Sequence, residues 1–266
     1  MAASKIVLCT GANQGLGYAV LQVASLRYPA YTYVLASRDL EKGKAAATSL
    51  RESGVQAPID VVQLDVTNDE DITRAASFSS AQSNAKAYKS CPRTVLINNA
   101  GIIRRPPPGD LPALRTALEE VLNTNLTSVA VVTEAFTPLL RESADPKVIN
   151  VSSGLGSIQN SLTKKMGRSP IYGVSKIGLN GLTVHLQVAE NDRVAVEGIS
   201  DGKPRIRYYV CAPGPLKTAF TNFNALCRSP ESGAEVVVRL AADDASKYDG
   251  GSFWEYEHGE MRQVPW

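Results

Sequence analysis

The sequence predicts an α/β fold with a doubly wound parallel sheet. Three observations predict it. Short runs rich in Val, Ile and Leu alternate with longer segments of helical apolar spacing, a glycine-rich turn directly follows the first run, and small polar clusters follow several later runs. Near-continuous apolar runs are typical of parallel strands that are buried on both faces. Because such sheets bind ligands at the carboxyl ends of their strands, we expect site residues there.

Seven strands and seven helices account for most of the chain. The predicted strands lie near residues 5–9, 31–36, 59–64, 94–97, 147–151, 206–211 and 251–254. The predicted helices lie near residues 15–28, 39–53, 69–88, 111–123, 126–143, 172–190 and 230–242. Three segments are interpreted as irregular surface loops: 102–110 and 157–170 at the edge that carries the site, and 191–204 at the opposite edge.

Length and composition indicate one globular domain. With 266 residues and 44% hydrophobic content, the chain can bury one substantial core, so we expect a single domain over residues 1–266. The net charge of +2 is scattered, which argues against a nucleic-acid partner. Signal-peptide features and membrane-length apolar runs are absent from the sequence, so we expect a cytoplasmic protein with no membrane partner. His185 and His258 lie far apart, which argues against a metal site.

A glycine-rich turn, TGANQGLG at residues 10–17, lies between the first predicted strand and the first predicted helix. In that setting glycines allow a tight turn and let a phosphate approach the helix N-terminus. Three glycines in a short stretch can also form an ordinary turn. The strand before it and the helix after it favour the phosphate interpretation.

Tyr172 and Lys176 stand one helical turn apart in the run YGVSK, so they share one face of a helix. A cation beside a phenol favours the phenolate and lowers the pKa of the tyrosine. A partly exposed helix pair is the alternative. The glycine turn elsewhere in the chain favours proton transfer beside a bound dinucleotide.

Small polar clusters follow three of the later predicted strands. They are NNAG at 98–101, VSSG at 151–154 and PG at 213–214. An ordinary turn explains any one of them alone. Their common position after parallel strands predicts one site at one edge of the sheet.

The end of the second predicted strand indicates the cofactor. An acidic residue there would accept hydrogen bonds from the 2′-hydroxyl of NAD. Instead Ser37 and Arg38 supply a hydroxyl and a fixed cation, which suit the 2′-phosphate of NADP. Asp39 is expected to cap the next helix. The alternative is that Arg38 is a solvated surface charge.

Taken in order, these motifs resemble those of the short-chain dehydrogenase/reductase family over essentially the whole chain. The resemblance also rests on LDVTN around Asp65, NTNLTS with Asn125, NVSSG at 150–154 and PGPLKT at 213–218. The stretch ASRDLEKGKAA is similar to carbonyl-reductase-like members that use NADP. The resemblance implies a Rossmann-type domain with seven parallel strands and helices on both faces.

The resemblance implies a catalytic tetrad. Tyr172 would donate the proton in carbonyl reduction or accept it in alcohol oxidation. Lys176 would lower the pKa of Tyr172 and hold the nicotinamide ribose. Ser153, rather than Ser152, would bind the substrate carbonyl oxygen and stabilise its developing charge. Asn125 would hold a water that connects Lys176 to solvent.

It also implies the cofactor contacts, which lie at the glycine turn, at the ends of the second and third strands, and at the clusters after the later strands. The residues expected to contact NADP are Gly11, Asn13, Gln14, Gly15, Leu16, Gly17, Ser37, Arg38, Asp65, Val66, Asn99, Ala100, Gly101, Tyr172, Lys176, Pro213, Gly214, Leu216 and Thr218.

The expected function is hydride transfer between NADPH and a carbonyl or alcohol carbon, with reduction as the favoured direction. The same tetrad acting on an imine or enone, and a sensor that binds NADP without chemistry, are alternatives. Phe220, Phe223 and Leu226 predict either a lid over an apolar substrate or an amphipathic helix on the core. The connection from Ser153 to Tyr172 is longer than is common in the family. A homodimer, a homotetramer and a single chain all stay open.

Overall fold

A computed structural model describes residues 5–84, 93–163, 168–197 and 205–266 and arranges them around one eight-stranded sheet. The strands are β1 (Lys5–Cys9), β2 (Thr32–Ser37), β3 (Ile59–Gln63), β4 (Arg93–Asn98), β5 (Lys147–Val151), β6 (Arg207–Ala212), β7 (Ser252–Glu257) and β8 (Glu260–Gln263). The helices are α1 (Gly15–Arg27), α2 (Leu40–Glu52), α3 (Asp69–Asn84), α4 (Leu111–Leu122), α5 (Ser128–Arg141), α6 (Ile158–Thr163), α7 (Pro170–Glu197) and α8 (Pro230–Ala242). The strand order is β3-β2-β1-β4-β5-β6-β7-β8, and the pairings from β3 to β7 are parallel. This confirms the predicted doubly wound Rossmann-type fold.

Alternation of side chains along the strands builds an apolar core on each face of the sheet. On β1, Val7 and Cys9 join the core that includes α1, α2 and α8. Ile6 and Leu8 join the core that includes α3 and α5. Successive strand residues point to opposite faces, so a sheet covered on both sides requires apolar residues at consecutive positions.

Two buried lysines stabilise the end of the sheet at which the parallel strands β1 and β5 begin. The ammonium of Lys5 donates to the carbonyl of Ala241 at 2.8 Å, and that of Lys147 donates to the carbonyl of Leu240 at 3.0 Å. Both bonds satisfy carbonyls in the last turn of α8. Burial lowers the pKa of Lys147 to about 8. These lysines are thus used in holding α8 on the sheet, away from the carboxyl ends of the strands.

Strand β8 was missed by the sequence prediction of seven strands. It pairs antiparallel with β7 through a two-residue turn in which His258 and Gly259 have φ of 51° and 88°. Two positive φ angles are the signature of a type I′ hairpin turn. Because β8 is polar and largely exposed, apolar periodicity gives no signal for it.

Two predicted loops are partly helical. The segment 157–170 contains α6, and residues 191–197 of the third predicted loop continue α7. Arg193 forms ion pairs with Glu190 at 2.7 Å and Glu197 at 2.6 Å, the spacing that supports an exposed helix. Residues 164–167 and 198–204 of these loops lie outside the described residues, as do 85–88 of the third predicted helix. Among the described helices, none combines the length and hydropathy needed to cross a bilayer.

Candidate active site

The crevice of the sheet lies between β1 and β4, where the strand order reverses. Asn99 follows β4, Ser152 follows β5 and Pro213 follows β6, so all three leave the sheet at the same edge. The three predicted polar clusters therefore lie at one edge of the sheet. Parallel pairing is the cause, because it brings the carboxyl ends together.

The glycine turn connects β1 to α1 and presents a helix N-terminus to the crevice. Gly11 and Gly15 have φ of 63° and 59°, a region that other residues rarely adopt. The side chain of Gln14 makes no capping hydrogen bond to α1, and the first turn of α1 carries no acidic residue. Asn13 and Leu16 are half-exposed on the same turn. These uncapped N–H groups at the positive end of the helix fit a diphosphate.

Hydrogen bonds between the ends of β1 and β4 hold the glycine turn in place. The Thr10 hydroxyl accepts from the backbone N–H groups of Asn99 and Ala100, both at 3.0 Å. The Asn99 amide donates to the carbonyls of Thr10 at 2.8 Å and Gly11 at 3.2 Å. A Cβ at Gly17 would lie 2.6 Å from that amide nitrogen. The Asn99 side chain thus holds the glycine turn in place. The backbone of Asn99 is the part that remains for the predicted cofactor contact.

Ser37 and Arg38, the two residues expected to bind the 2′-phosphate, have different environments at the end of β2. Ser37 is fully buried, and its hydroxyl donates to the Asp39 carbonyl at 2.8 Å. This hydroxyl closes the turn before α2, and its contact with a 2′-phosphate stays a prediction. Arg38 is exposed. Asp39 caps α2 as predicted, accepting from the Lys42 N–H at 3.0 Å.

Asp65 and Val66, after β3, lie at the same edge but are largely occupied by local structure. The Asp65 carboxylate accepts from the N–H of Thr67 at 2.9 Å and from its hydroxyl at 2.7 Å. The Val66 side chain packs into the apolar core. The predicted adenine contact would therefore be made by the exposed part of this turn and not by the Val66 side chain.

Tyr172, Ser153 and Lys176 come together where β5 ends. Lys176 donates from Nζ to the Val151 carbonyl at 2.8 Å, and its Nζ lies 5.6 Å from the centre of the Tyr172 ring. The Tyr172 hydroxyl is hydrogen-bonded to Ser153. Ser152 is buried and donates to Asn180 at 2.7 Å. Ser153 is therefore the serine of the pair that faces Tyr172.

Burial controls the protonation of the tyrosine and lysine. It raises the pKa of Tyr172, and the hydrogen bond to Ser153 opposes this in part. It lowers the pKa of Lys176 to about 8. Burial is the larger cause, so the pKa of Tyr172 lies above its ordinary value, whereas the sequence predicted a lowering by Lys176. The raised pKa keeps the phenol protonated at neutral pH, and the lowered pKa of Lys176 moves its titration toward neutral pH.

Asn125 lies fully buried in a π turn, Asn123–Thr127, that joins α4 to α5. Its amide nitrogen donates to the Ile102 carbonyl at 2.9 Å and to the Ser175 hydroxyl at 3.0 Å. Its amide oxygen accepts from the Ile102 N–H at 2.8 Å. Ser175 in turn donates to the Tyr172 carbonyl at 2.7 Å. The Asn125 side chain thus connects the segment after β4 to the turn of α7 that carries the tyrosine.

Gly101 lies where Asn125 and Lys176 approach each other. A Cβ added at Gly101 would lie 3.2 Å from the Asn125 amide oxygen and 3.8 Å from Lys176 Nζ. Glycine at this position keeps the backbone close to both side chains. The four predicted catalytic residues are therefore gathered around one small region of the crevice.

A buried polar chain supports the site from behind. The Asn98 amide donates to Asn150 at 2.9 Å, and the Asn150 amide donates to the Thr183 hydroxyl at 2.9 Å. These bonds connect β4, β5 and α7. Buried polar groups that are satisfied in this way specify one arrangement of the elements that contain them.

The segment after β6 closes over the glycine turn. Gly214 has φ of 78°, and the Thr218 methyl would lie 3.6 Å from a Cβ at Gly15. Leu216 is buried, and its side chain packs directly on Gly233 of α8. The backbone near Pro213 and the side chain of Thr218 are therefore the parts of this segment that reach the crevice, while Leu216 anchors it.

The apolar residues beyond Thr218 form an exposed segment near the tyrosine. Phe220 meets the Tyr172 ring edge to face at a centroid distance of 5.4 Å. Phe223 is 62% exposed and Leu226 is 94% exposed. A 3-10 turn, Ala219–Thr221, is the helical structure here, and Asn222 and Phe223 have positive φ. The alternative of an amphipathic helix packed on the core is wrong.

The long connection between Ser153 and Tyr172 is tied to the end of the chain. The Gln159 N–H in α6 donates to the Trp266 carbonyl at 3.0 Å, and Trp266 stacks on Phe253 at 5.7 Å. Asn160 is buried, although its type and neighbours in sequence suggested a surface loop. The described part of this connection is therefore anchored through Asn160 and the end of the chain, while the other residues of α6 are exposed.

Sequence reasoning missed three residues that shape the site: Thr10, Ser175 and Arg228. Thr10 and Ser175 lie inside the motifs TGANQGLG and YGVSK, so their positions were a usable signal. Arg228 lies outside every motif, and its guanidinium donates to the carbonyl of Pro213 at 2.5 Å. Contacts to a distant backbone carbonyl leave no pattern in a sequence.

Comparisons with known proteins identify the family of this chain. The family profile for short chain dehydrogenase matches residues 5–225. A short-chain dehydrogenase/reductase of Aspergillus fumigatus is 52% identical over 266 residues, which covers 99% of this chain and 98% of that protein. This chain belongs to the short-chain dehydrogenase family. It is consequently an NAD(P)-dependent oxidoreductase.

Carbonyl reductases are among the family members and structures that it resembles. Carbonyl reductase (NADPH) 3 of Rattus norvegicus is 29% identical over 276 residues, covering 90% of this chain and 91% of that protein. The crystal structure of an NADPH-bound carbonyl reductase from chicken fatty liver superposes with a TM-score of 0.76 at 23% identity, covering 99% of this chain and 100% of that chain. At that identity the superposition supports the fold alone.

We predict that Gly17→Ala damages the glycine turn. Its Cβ would lie 2.6 Å from the Asn99 amide and 2.8 Å from the backbone of Ala12, so the turn must shift. The expected loss is about 1–3 kcal/mol in the free energy of unfolding, measured by urea titration. The matched control is Gly181→Ala in α7, which meets no atom within 4 Å. That control should gain about 0.5–1 kcal/mol from helix propensity, and equal effects of the two changes would contradict the prediction.

Proposed function

We propose that this oxidoreductase is an NADP-dependent reductase of apolar ketones or aldehydes. The observation that supports this most directly is the meeting of Tyr172, Ser153 and Lys176 at the end of β5. A phenol that keeps its proton, a hydroxyl beside it and a buried cation together suit protonation of an oxygen that becomes negative.

In this proposal NADPH supplies the hydride when bound, and the residues of the chain handle the proton and the charge. Tyr172 donates its hydroxyl proton to the forming alkoxide. Ser153 hydrogen-bonds the same oxygen and orients it. Lys176 stabilises the phenolate that remains and holds the cofactor ribose. Burial of both ionisable groups strengthens these interactions, because fewer waters screen them.

Asn125 is proposed to support proton return to Tyr172. Its side-chain nitrogen and oxygen are occupied by Ile102 and Ser175, so a relay water would have to bind its main-chain carbonyl. Main-chain groups in π turns often take part in functional sites. Gly101 leaves space between Asn125 and Lys176 for such a path.

The preference for NADP is supported by the residues after β2. Arg38 is exposed there, and the Asp39 carboxylate is turned to the N-terminus of α2. A guanidinium can pair with a 2′-phosphate, whereas the carboxylate that would recognise a 2′-hydroxyl is committed elsewhere. The names of the rat and chicken carbonyl reductases also include NADPH.

The apolar character of the substrate is inferred from the segment near the tyrosine. Phe220 contacts Tyr172, and Phe223 is exposed beside it on the same segment. A substrate carbonyl that reaches Tyr172 must pass or displace the Phe220 ring. Aromatic surfaces bind flat apolar groups better than they bind hydrated sugars.

We predict that Tyr172→Phe retains NADPH binding but loses turnover. The change removes the proton donor and little else, so kcat should fall by about 10²–10⁴-fold. The measurement is NADPH oxidation with a panel of ketones, aldehydes, imines and enones, together with the Kd for NADPH. Tyr31→Phe, at the opposite edge of the sheet, is the control and should leave kcat unchanged. If Tyr172→Phe retained half of the wild-type activity, Tyr172 would be excluded as the proton donor. Analysis of the wild-type products would show whether an imine or enone is reduced instead of a ketone or aldehyde.

We predict that Arg38→Ala weakens NADPH far more than NADH. Only NADPH has the phosphate that the guanidinium would pair with, so its Kd should rise about tenfold or more. Arg51→Ala, at the other end of α2, removes a charge of the same sign and should affect neither cofactor. Fluorescence titration of each variant with both cofactors measures the effect. Equal losses of the two cofactors would remove the basis of the NADP assignment.

A further inference from the structure

Arg228 connects the turn after β6 to β7. Its guanidinium donates to the Pro213 carbonyl at 2.5 Å and to the Tyr256 carbonyl at 3.2 Å. Its Nε is buried and has no hydrogen-bond partner within the described part of the chain. An arginine oriented by backbone carbonyls in this way fixes the position of the backbone, since its planar group has a set geometry.

The guanidinium also lies directly against Gly214. A Cβ at Gly214 would lie 2.8 Å from Nη2 and 3.2 Å from Cζ of Arg228. Gly214 has φ of 78°, so glycine is required both by the backbone conformation and by the close approach. The shape of the Pro213–Gly214 turn and the position of the Arg228 side chain therefore depend on each other.

Backbone hydrogen bonds close the segment between this turn and Arg228. The Lys217 N–H donates to the Arg228 carbonyl at 2.8 Å, and the Arg228 N–H donates to the Pro215 carbonyl at 3.0 Å. Leu216 is anchored between them on α8. The base of the segment is thus fixed at both ends, whereas its tip carries the exposed Phe223.

We propose that Arg228 is a positioning residue that holds the Pro213–Gly214 turn in the shape that receives the nicotinamide half of the cofactor. The inference rests on the proposed NADP function. The hydrogen bonds described for Arg228 are made to the Pro213–Lys217 segment and to Tyr256, and neither partner lies in the glycine turn or at the end of β2. Its effect should therefore be confined to one half of the dinucleotide.

The test compares binding of NADPH with binding of the adenosine bisphosphate fragment of NADP, which lacks the nicotinamide half. Arg228→Ala should raise the Kd for NADPH about tenfold. The variant loses the two hydrogen bonds from the guanidinium to backbone carbonyls, so the turn is no longer held in the shape that receives the nicotinamide half. It should leave the Kd of the fragment unchanged. Arg228→Lys keeps the charge and can make one of the two bonds, so its Kd for NADPH should fall between those of the wild type and Arg228→Ala. Both constants are measured by fluorescence and competition titration.

Arg239→Ala is the matched control, since Arg239 stacks on Tyr256 at 4.8 Å and pairs with Glu235 at 2.7 Å. It should bind both ligands as the wild type does. Equal weakening of NADPH and fragment by Arg228→Ala would overturn the inference, because it would show a general structural role. Unchanged NADPH binding would also overturn it. A wild-type protein that binds neither ligand would instead refute the proposed NADP function, so the two failures are distinguishable.

Discussion

The hydrogen bond from the buried ammonium of Lys176 to the Val151 carbonyl is the contact on which the site depends. Val151 ends β5 and directly precedes the serine pair, so this bond fixes α7 at the point where Ser153 leaves the sheet. Tyr172 then lies beside Ser153 because it stands one turn before Lys176. Burying the charge is unfavourable, as the lowered pKa of Lys176 shows. Lys147 has a similarly lowered pKa in a structural role, but Lys176 differs because it lies at the carboxyl ends of the strands beside Tyr172.

Most polar side chains of the crevice are used to hold backbone in place. Thr10 and Asn99 lock the glycine turn, Ser37 closes the turn before α2, and Asp65 binds its own loop. Backbone N–H groups and a few exposed side chains therefore remain to recognise a dinucleotide. This division gives a rigid site in which the reacting groups need little rearrangement.

Sequence patterns predicted the elements whose formation depends on local apolar spacing. The bounds of β1, β5 and α8 agree with the prediction to the residue, because each has a continuous apolar run or a clear start signal. Strand β8 was missed because its pairing depends on a turn at His258 and Gly259 rather than on hydropathy. The role of Arg228 depends on the carbonyls of Pro213 and Tyr256, which lie 15 and 28 residues away along the chain. Such tertiary contacts leave no pattern in the sequence, whereas the bond from Ser37 to Asp39 is a local turn contact.

We propose that the site moves a hydride to a carbonyl carbon while Tyr172 protonates the oxygen. The most direct measurement is mass spectrometry of the product formed with NADPH that carries deuterium at the transferred C4 position. We expect an alcohol with one deuterium on the former carbonyl carbon, formed by the wild type and far more slowly by Tyr172→Phe. Deuterium on a neighbouring carbon, or oxidation of the cofactor without labelled product, would contradict it.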